Sequence, residues 1–286
     1  MASFVDQIKT AFPELEIHTI NRMAGQFNDI VTVNDEIVFR FPKYAWIAEK
    51  SPATFRMLRA LSDRVYLPIP VPTHMHCEFG SSILRYKFIP GRPLWREIVT
   101  SLDTRTLDRL ATQLGTFLNS LHQVNPSIMP LHSETNLDSR QNVSEMYMNI
   151  EYKLFSYMSA RGRTAIKHHF ESFLDDSSNF HYTPVFRHGD PGPGNVLFDP
   201  ESGSLSGIID FDFAGFGDPA VDWSIALEPV LYGEEFVGRL ARHFPVDEAT
   251  LARAKFYRGT WILQEALRTF DAGEFEAFNR EIASYQ

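Results

Sequence analysis

From Phe186 to Trp223 the chain reads FRHGDPGPGNVLFDPESGSLSGIIDFDFAGFGDPAVDW, and no other stretch constrains the fold as tightly. His188-Gly189-Asp190 is followed by Asn195, five residues beyond Asp190, and by Asp210, twenty beyond it. Between His188 and Asp222 stand seven Asp or Glu and no Lys or Arg. Carboxylates at that density are costly unless solvent, a metal or a cationic ligand answers them. A divalent cation with a nucleotide is the natural answer. Val196-Leu197-Phe198 is a short apolar run, Asp199 to Gly203 carries turn residues, and Leu205 to Phe211 is a second run. That pattern predicts a hairpin. Folding it back sets Asn195 beside Asp210, an amide oxygen and a carboxylate suited to hard Mg²⁺. Asp190, on a tight loop, is then placed to accept or orient the proton of an incoming hydroxyl, the division of labour that phosphoryl transfer needs.

HGDxxxxN followed by IDFxxxxxGDPxxD resembles the aminoglycoside phosphotransferase family, relatives of the eukaryotic protein kinases. The look is closest to the aminoglycoside 2″-phosphotransferase group. The resemblance implies an α+β, protein-kinase-like two-lobed fold. Residues 1–88 would form a small N-terminal lobe of antiparallel sheet, 89–92 a hinge, and 93–286 a larger, mainly helical lobe. It implies Asp190 as the catalytic residue and Asn195 and Asp210 as the Mg²⁺ ligands. His188, Asp218 and Asp222 would be structural support, Asp222 by bracing the catalytic loop through backbone amides. Asp212 is expected to be a solvated neighbour. The implied donor is ATP or GTP and the implied acceptor a hydroxyl of a small cationic molecule, first an aminoglycoside, with antibiotic resistance as the consequence. Another hydroxylated metabolite or antibiotic of the macrolide, choline, homoserine or methylthioribose type is the alternative. A non-catalytic nucleotide-binding protein is the rival from a different class.

The nucleotide side is expected in the first ninety residues. Ile17 to Ile20, Asp29 to Val33 and Glu36 to Phe41 read as strands, with a polar loop over Met23 to Asn28. In the family such a loop covers the phosphates, which makes Gly25 and Asn28 its contacts. Arg40 stands where the family has a lysine, and Lys43 follows three residues on. Arg neutralises phosphate bidentately but is not equivalent to Lys. Ser51-Pro52 reads as a helix cap and first turn, so that the family's helix glutamate falls near Thr54 and Glu49 lies before the cap. Leu67 to Pro72 is extended by its prolines. Ser82 to Ile89 is a strand ending in Pro90-Gly91, and Lys87, Phe88 and Ile89 are the hinge residues whose backbone would read the purine.

Beyond the hinge, Leu107, Leu110, Leu114, Phe117, Leu118 and Leu121 recur at three- and four-residue intervals, a helix starting after Asp103. His122, at its end, reads as a packed core histidine. Two more helices are expected in 138–178, joined near Arg161-Gly162, and 223–286 is helical again, interrupted at Pro229 and Pro245. Glu228, Glu235, Trp261 and Glu265 are the expected contacts for ammonium groups, by ion pairing and the Trp face. At 286 residues the chain is long enough for two lobes with a sizeable core. Cys77 is a lone cysteine, which leaves no internal disulfide framework. The polar start and the lack of an apolar run of about twenty residues lead us to expect a cytoplasmic monomer without membrane contact. A net charge of -9 argues against nucleic acid as partner and favours cationic small molecules.

Overall fold

The computed structural model describes residues 3–25, 27–78, 81–129 and 136–286. A first helix, α1 (Phe4–Ala11), goes beyond what the sequence reading foresaw. Its signal is a capping box: the Ser3 hydroxyl accepts from the Asp6 amide at 3.2 Å while the Asp6 carboxylate accepts from the Ser3 amide at 3.0 Å. Next come β1 (Ile20–Ala24), β2 (Asn28–Val33) and β3 (Ile37–Pro42), the helix α2 (Ala45–Leu61), then β4 (Pro72–Glu78) and β5 (Ser81–Lys87). They form one antiparallel sheet in the order β1-β2-β3-β5-β4. Period-two alternation turns Val31 and Val33 of β2 and Phe39 and Phe41 of β3 inward, onto Ile83 and the α1 residue Ile8. The strand expected from Ile17 begins only at Ile20. The Asn34 side chain takes the amides of His18 and Thr19, at 2.8 and 3.1 Å, in place of a neighbouring strand. In the 23–28 loop Gln26 lies outside the described residues, as does the side chain of Cys77 in β4.

Ser51-Pro52 does not start α2; the helix begins at Ala45 and carries Pro52 inside it. A proline there has no N–H for the carbonyl of Ala48, four residues back. The Ser82 hydroxyl of β5 supplies the missing donor at 3.1 Å. Thr54 and Glu49 therefore both lie on the helix.

After β5 the chain passes Gly91, whose φ of +134° and contact with Ser206 leave no room for a side chain. It then forms β6 (Arg92–Pro93), α3 (Arg96–Val99) and α4 (Thr104–His122). The Asp103 side chain caps α4 by accepting from the Thr106 amide at 3.0 Å, and the predicted apolar face is buried throughout. Helices α5 (Arg140–Leu154) and α6 (Ala160–Asp175) meet at residues 155–159, earlier than expected, because Ser159 caps α6 and puts Gly162 inside it. Strands β7 (Val185–Arg187), β8 (Val196–Asp199), β9 (Ser204–Ile208) and β10 (Gly215–Gly217) carry the motif. The chain ends in α7 (Ala220–Ala226), α8 (Pro229–Tyr232), α9 (Glu234–His243), α10 (Glu248–Asp271) and α11 (Phe275–Ile282), with Pro229 opening α8 and Pro245 between α9 and α10. No helix among the described residues is long and apolar enough to cross a membrane. The larger apolar core joins α4 to α7 and α9 to α11, and it takes in Leu58 and Leu61 of α2 and Leu67 and Ile69. It thus reaches back across residue 88.

Candidate active site

The hairpin β8–β9 forms as its turn chemistry dictates, with Val196 opposite Ile208. The Ile209 amide donates to the Asn195 carbonyl at 2.9 Å, which brings Asp210 to the Asn195 end of the hairpin. The second run was expected to stay extended to Phe211 but leaves the sheet after Ile208. Asp210 adopts a left-handed backbone, φ +63°, which ends the strand and re-aims its side chain. Burial first, and the neighbouring Asp212 second, push the Asp210 carboxyl up to about 6, with Arg40 opposing. A carboxylate in that state gains from a cation brought in with a ligand.

Asp190 sits between β7 and β8 in a loop held from several sides. The Asn195 side-chain amide donates both to the Asp190 carboxylate, at 2.9 Å, and to its carbonyl, at 3.0 Å. With its nitrogen so engaged, Asn195 turns its oxygen the other way, available to a hard cation. The His188 ring donates from Nε2 to the Ile209 carbonyl at 3.1 Å and accepts at Nδ1 from the Asp190 amide at 3.2 Å. Both bonds need a neutral imidazole, and full burial holds the His188 pKa down to match. Asp222, wholly buried, accepts from the amides of His188 and Gly189 at 3.1 and 2.7 Å and from His122 Nε2 at 2.9 Å. Burial alone would raise its pKa; these donors bring it below the usual carboxylate range. Gly189 has φ +87° and lies against the Phe213 backbone, where a Cβ would fall 2.4 Å from the carbonyl oxygen. The Tyr232 hydroxyl closes the loop on its far side, donating to the Pro191 carbonyl at 2.8 Å.

Three of the seven clustered acids, Asp212, Asp218 and Asp222, are answered from distant parts of the chain. Arg253 of α10 binds Asp218 through Nε at 2.6 Å, and Arg187 binds Asp138 at 2.7 Å while donating to the Phe213 carbonyl at 2.8 Å. Asp138 in turn accepts from the Asp218 amide at 2.9 Å. Asp199 is spent on its own turn, capping Glu201 and Ser202. Asp212 is not a solvated neighbour: its side chain is 14% exposed and pairs with Arg40, because β3 crosses directly opposite. What faces the cleft without a protein cation of its own is Asp190, with Asp210 beside the Arg40–Asp212 pair.

The remaining candidates divide. The Asn28 amide donates to Asp212 at 3.2 Å, and Lys43 donates to the Gly25 carbonyl, so Lys43 fastens the covering loop. Burial pushes the Tyr86 phenol of β5 up to about 12, with Arg40 opposing, so this ring too joins the cluster. In the hinge, the Phe88 amide donates to the Glu36 carbonyl at 2.7 Å. Ladder alternation then turns the backbone groups of Lys87, and of Ile89 two residues on, away from β3. A cleft of about 460 Å³ opens at Asp190, and Trp261, Gln264 and Glu265 of α10 line it with Phe27 and Phe213. Glu228 and Glu235 do not line it. Glu228 is 3% exposed, caps α8 and pairs with Arg258. Glu235 pairs with Arg239 one turn along α9 at 2.7 Å. Arg187, Asp138 and Arg253 escaped the sequence reading; an Arg directly before His188-Gly189-Asp190 was the available signal.

Known proteins match this arrangement along the whole chain. The phosphotransferase enzyme family matches residues 22–257. The viomycin phosphotransferase of Streptomyces vinaceus is 30% identical over 271 residues, 92% of this chain and 91% of that protein. Among solved structures, APH(2″)-IIIa in complex with GDP and kanamycin superposes with a TM-score of 0.87 at 25% identity, over 99% of this chain and 96% of that one. A macrolide 2′-phosphotransferase type I, at 21% identity and a TM-score of 0.76 over 99% and 98% of the two chains, shares the fold. The two-lobed, kinase-like α+β fold expected from the motif is the fold this chain adopts. By sequence and by architecture, the chain belongs to the phosphotransferase enzyme family.

Proposed function

We propose that the protein transfers the γ-phosphoryl group of ATP or GTP to a hydroxyl of an aminoglycoside-type antibiotic. The observation that carries this reading is the pinned Asp190 carboxylate, with Asn195 and Asp210 on one side and a cleft lined by Trp261 and Glu265 on the other. The donor assignment is supported by solved relatives that hold GDP or ADP. Support for the acceptor comes from relatives that hold kanamycin or gentamicin. A second reading, viomycin as acceptor, is favoured by the 30% identical relative.

Asn195 and Asp210 would hold Mg²⁺, which when bound would supply positive charge to the donor phosphates. Asn195 fixes one Asp190 carboxylate oxygen, which leaves the other to meet the acceptor hydroxyl. The hydroxyl proton passes to Asp190 as the oxygen–phosphorus bond forms and the bond to the leaving nucleoside diphosphate breaks. Arg40 takes phosphate charge, and the backbone at Lys87 and Ile89 reads the purine. Trp261 receives an ammonium group of the acceptor on its ring face, and Glu265, already held by Arg268 at 2.8 Å, takes another with its remaining lone pairs. The test is mass spectrometry of products from aminoglycosides, viomycin, macrolides and small alcohols, each with Mg²⁺ and ATP or GTP. A gain of about 80 Da, one phosphoryl group, is expected on an aminoglycoside. Transfer to viomycin alone would replace the acceptor assignment, and transfer to none would overturn the proposal. Asp190→Ala should cut turnover roughly 10²–10⁴-fold while Mg²⁺–nucleotide still binds.

A further inference from the structure

A cavity of about 260 Å³ lies between β3, α2 and the segment after Asp210. Arg40 and Lys50 enter it as cations, and α2 offers it the hydroxyls of Ser51 and Thr54. Among its described lining residues Asp212 is the one carboxylate. Asp212 is tied to two strands at once: Arg40 donates to it through Nη2, and the Asn28 amide donates at 3.2 Å. All three are largely buried, with Asn28 only 5% exposed and its side-chain Oδ1 left without a protein partner. A guanidinium carries five N–H donors in a rigid fork. The contact to Asp212 employs one nitrogen and leaves the Nε and Nη1 edges for a second anion.

We infer that Asp212 is the positioning residue for the phosphoryl donor: from the helical lobe it orients the Arg40 guanidinium of β3 towards the nucleotide phosphates. α2 supplies no carboxylate to that cavity, so Asp212 takes the task from the opposite wall. The buried amide of Asn28 fixes Asp212 in turn, which couples the end of the covering loop to the same contact. This inference rests on the donor reading given above.

The sign of one substitution separates positioning from mere proximity. A carboxylate that only lies near a triphosphate repels it, so Asp212→Asn would then tighten nucleotide binding. If Asp212 orients Arg40, the same substitution weakens binding of Mg²⁺–ATP and Mg²⁺–GTP roughly tenfold, the scale of one charge-assisted hydrogen bond. Titration calorimetry without acceptor reads this directly, and KM for the donor should rise more than kcat falls. Thr54→Glu places a carboxylate on the α2 wall of the cavity that Arg40 also lines. Added to Asp212→Asn, it should restore most of the lost affinity, which a general loss of folding would not permit. Unchanged or tighter binding by Asp212→Asn, or no recovery in the double variant, overturns the inference while leaving the donor reading intact. Failure of the unmodified protein to bind either nucleotide would overturn both.

Discussion

Asp210 combines desolvation by the protein packed around its carboxyl, a like charge two residues away and a left-handed backbone, and each has a cost in the metal-free chain. Its carboxyl titrates near 6 in the fold against an ordinary 3.8. Between those values the folded chain binds more protons than the unfolded one, so stability falls as pH rises through the window and the loss is complete above it. Asp210 keeps an exposed surface on the cleft, so solvent screening makes the effect much smaller than that of a fully buried group, about 1.4 kcal/mol per pH unit. Asp210→Asn cannot ionise and escapes the loss. In metal-free buffer it should therefore melt higher than the parent at pH 7.5, with the difference closing as pH falls towards 4. An equal difference at both ends of the range would refute the assignment; thermal melts with chelator present measure it. The same residue shows what sequence reveals at this scale. The meeting of Asn195 with Asp210 was legible because one hairpin joins them, and that of Asp190 with Asn195 because one short loop does. Arg40–Asp212 and Arg187–Asp138 were not, because their partners lie far apart in the chain and meet only after packing. Pairing alone does not sort the helical acids, since Glu228, Glu235 and Glu265 each meet an arginine; packing is what puts Glu265 on the cleft and the other two away from it.

Elements with an unbroken apolar period, α4 above all, were readable to the residue, since burial of one face dictates both period and length. The boundaries that went astray were set by hydrogen bonds from outside the element. Pro52 looks like the first residue of a helix, and only Ser82, from a strand thirty residues on, makes it tolerable inside one. That contact ties α2 to the strand leading into the hinge. Ser82→Ala leaves the Ala48 carbonyl without a donor and should cost about 1–2 kcal/mol in urea denaturation. Pro52→Ala restores an N–H four residues after Ala48, so the Ser82→Ala penalty should shrink in that background. A double-mutant cycle reads the coupling. Strictly additive effects would show that the Ser82 hydroxyl is not standing in for the helix amide.

For the molecule as a whole, a small core under the five-stranded sheet and a large one among the helices leave a cleft between them, and α2 is shared by being anchored in the larger core through Leu58 and Leu61. That sharing was hidden from the sequence, where the prolines at 68, 70 and 72 mark a break in chain direction and say nothing of packing. The charge was visible from the start. A net charge of -9 produces a field that attracts cations and repels anions over distances of a Debye length, which falls from roughly 14 Å to 4 Å between 50 and 500 mM salt. The proposed reaction brings one substrate of each sign to this field. A cationic acceptor is drawn in at low salt, so its KM should rise severalfold across that range. The anionic nucleotide is opposed by the same field, so its KM should hold or fall as salt is added, once free Mg²⁺ is kept saturating. Initial rates measured with each substrate varied in turn separate the two. Opposite salt responses require an acceptor of positive charge; parallel responses would mean that the global field does not act on the acceptor, and that recognition is confined to contacts such as Trp261 and Glu265 inside the cleft.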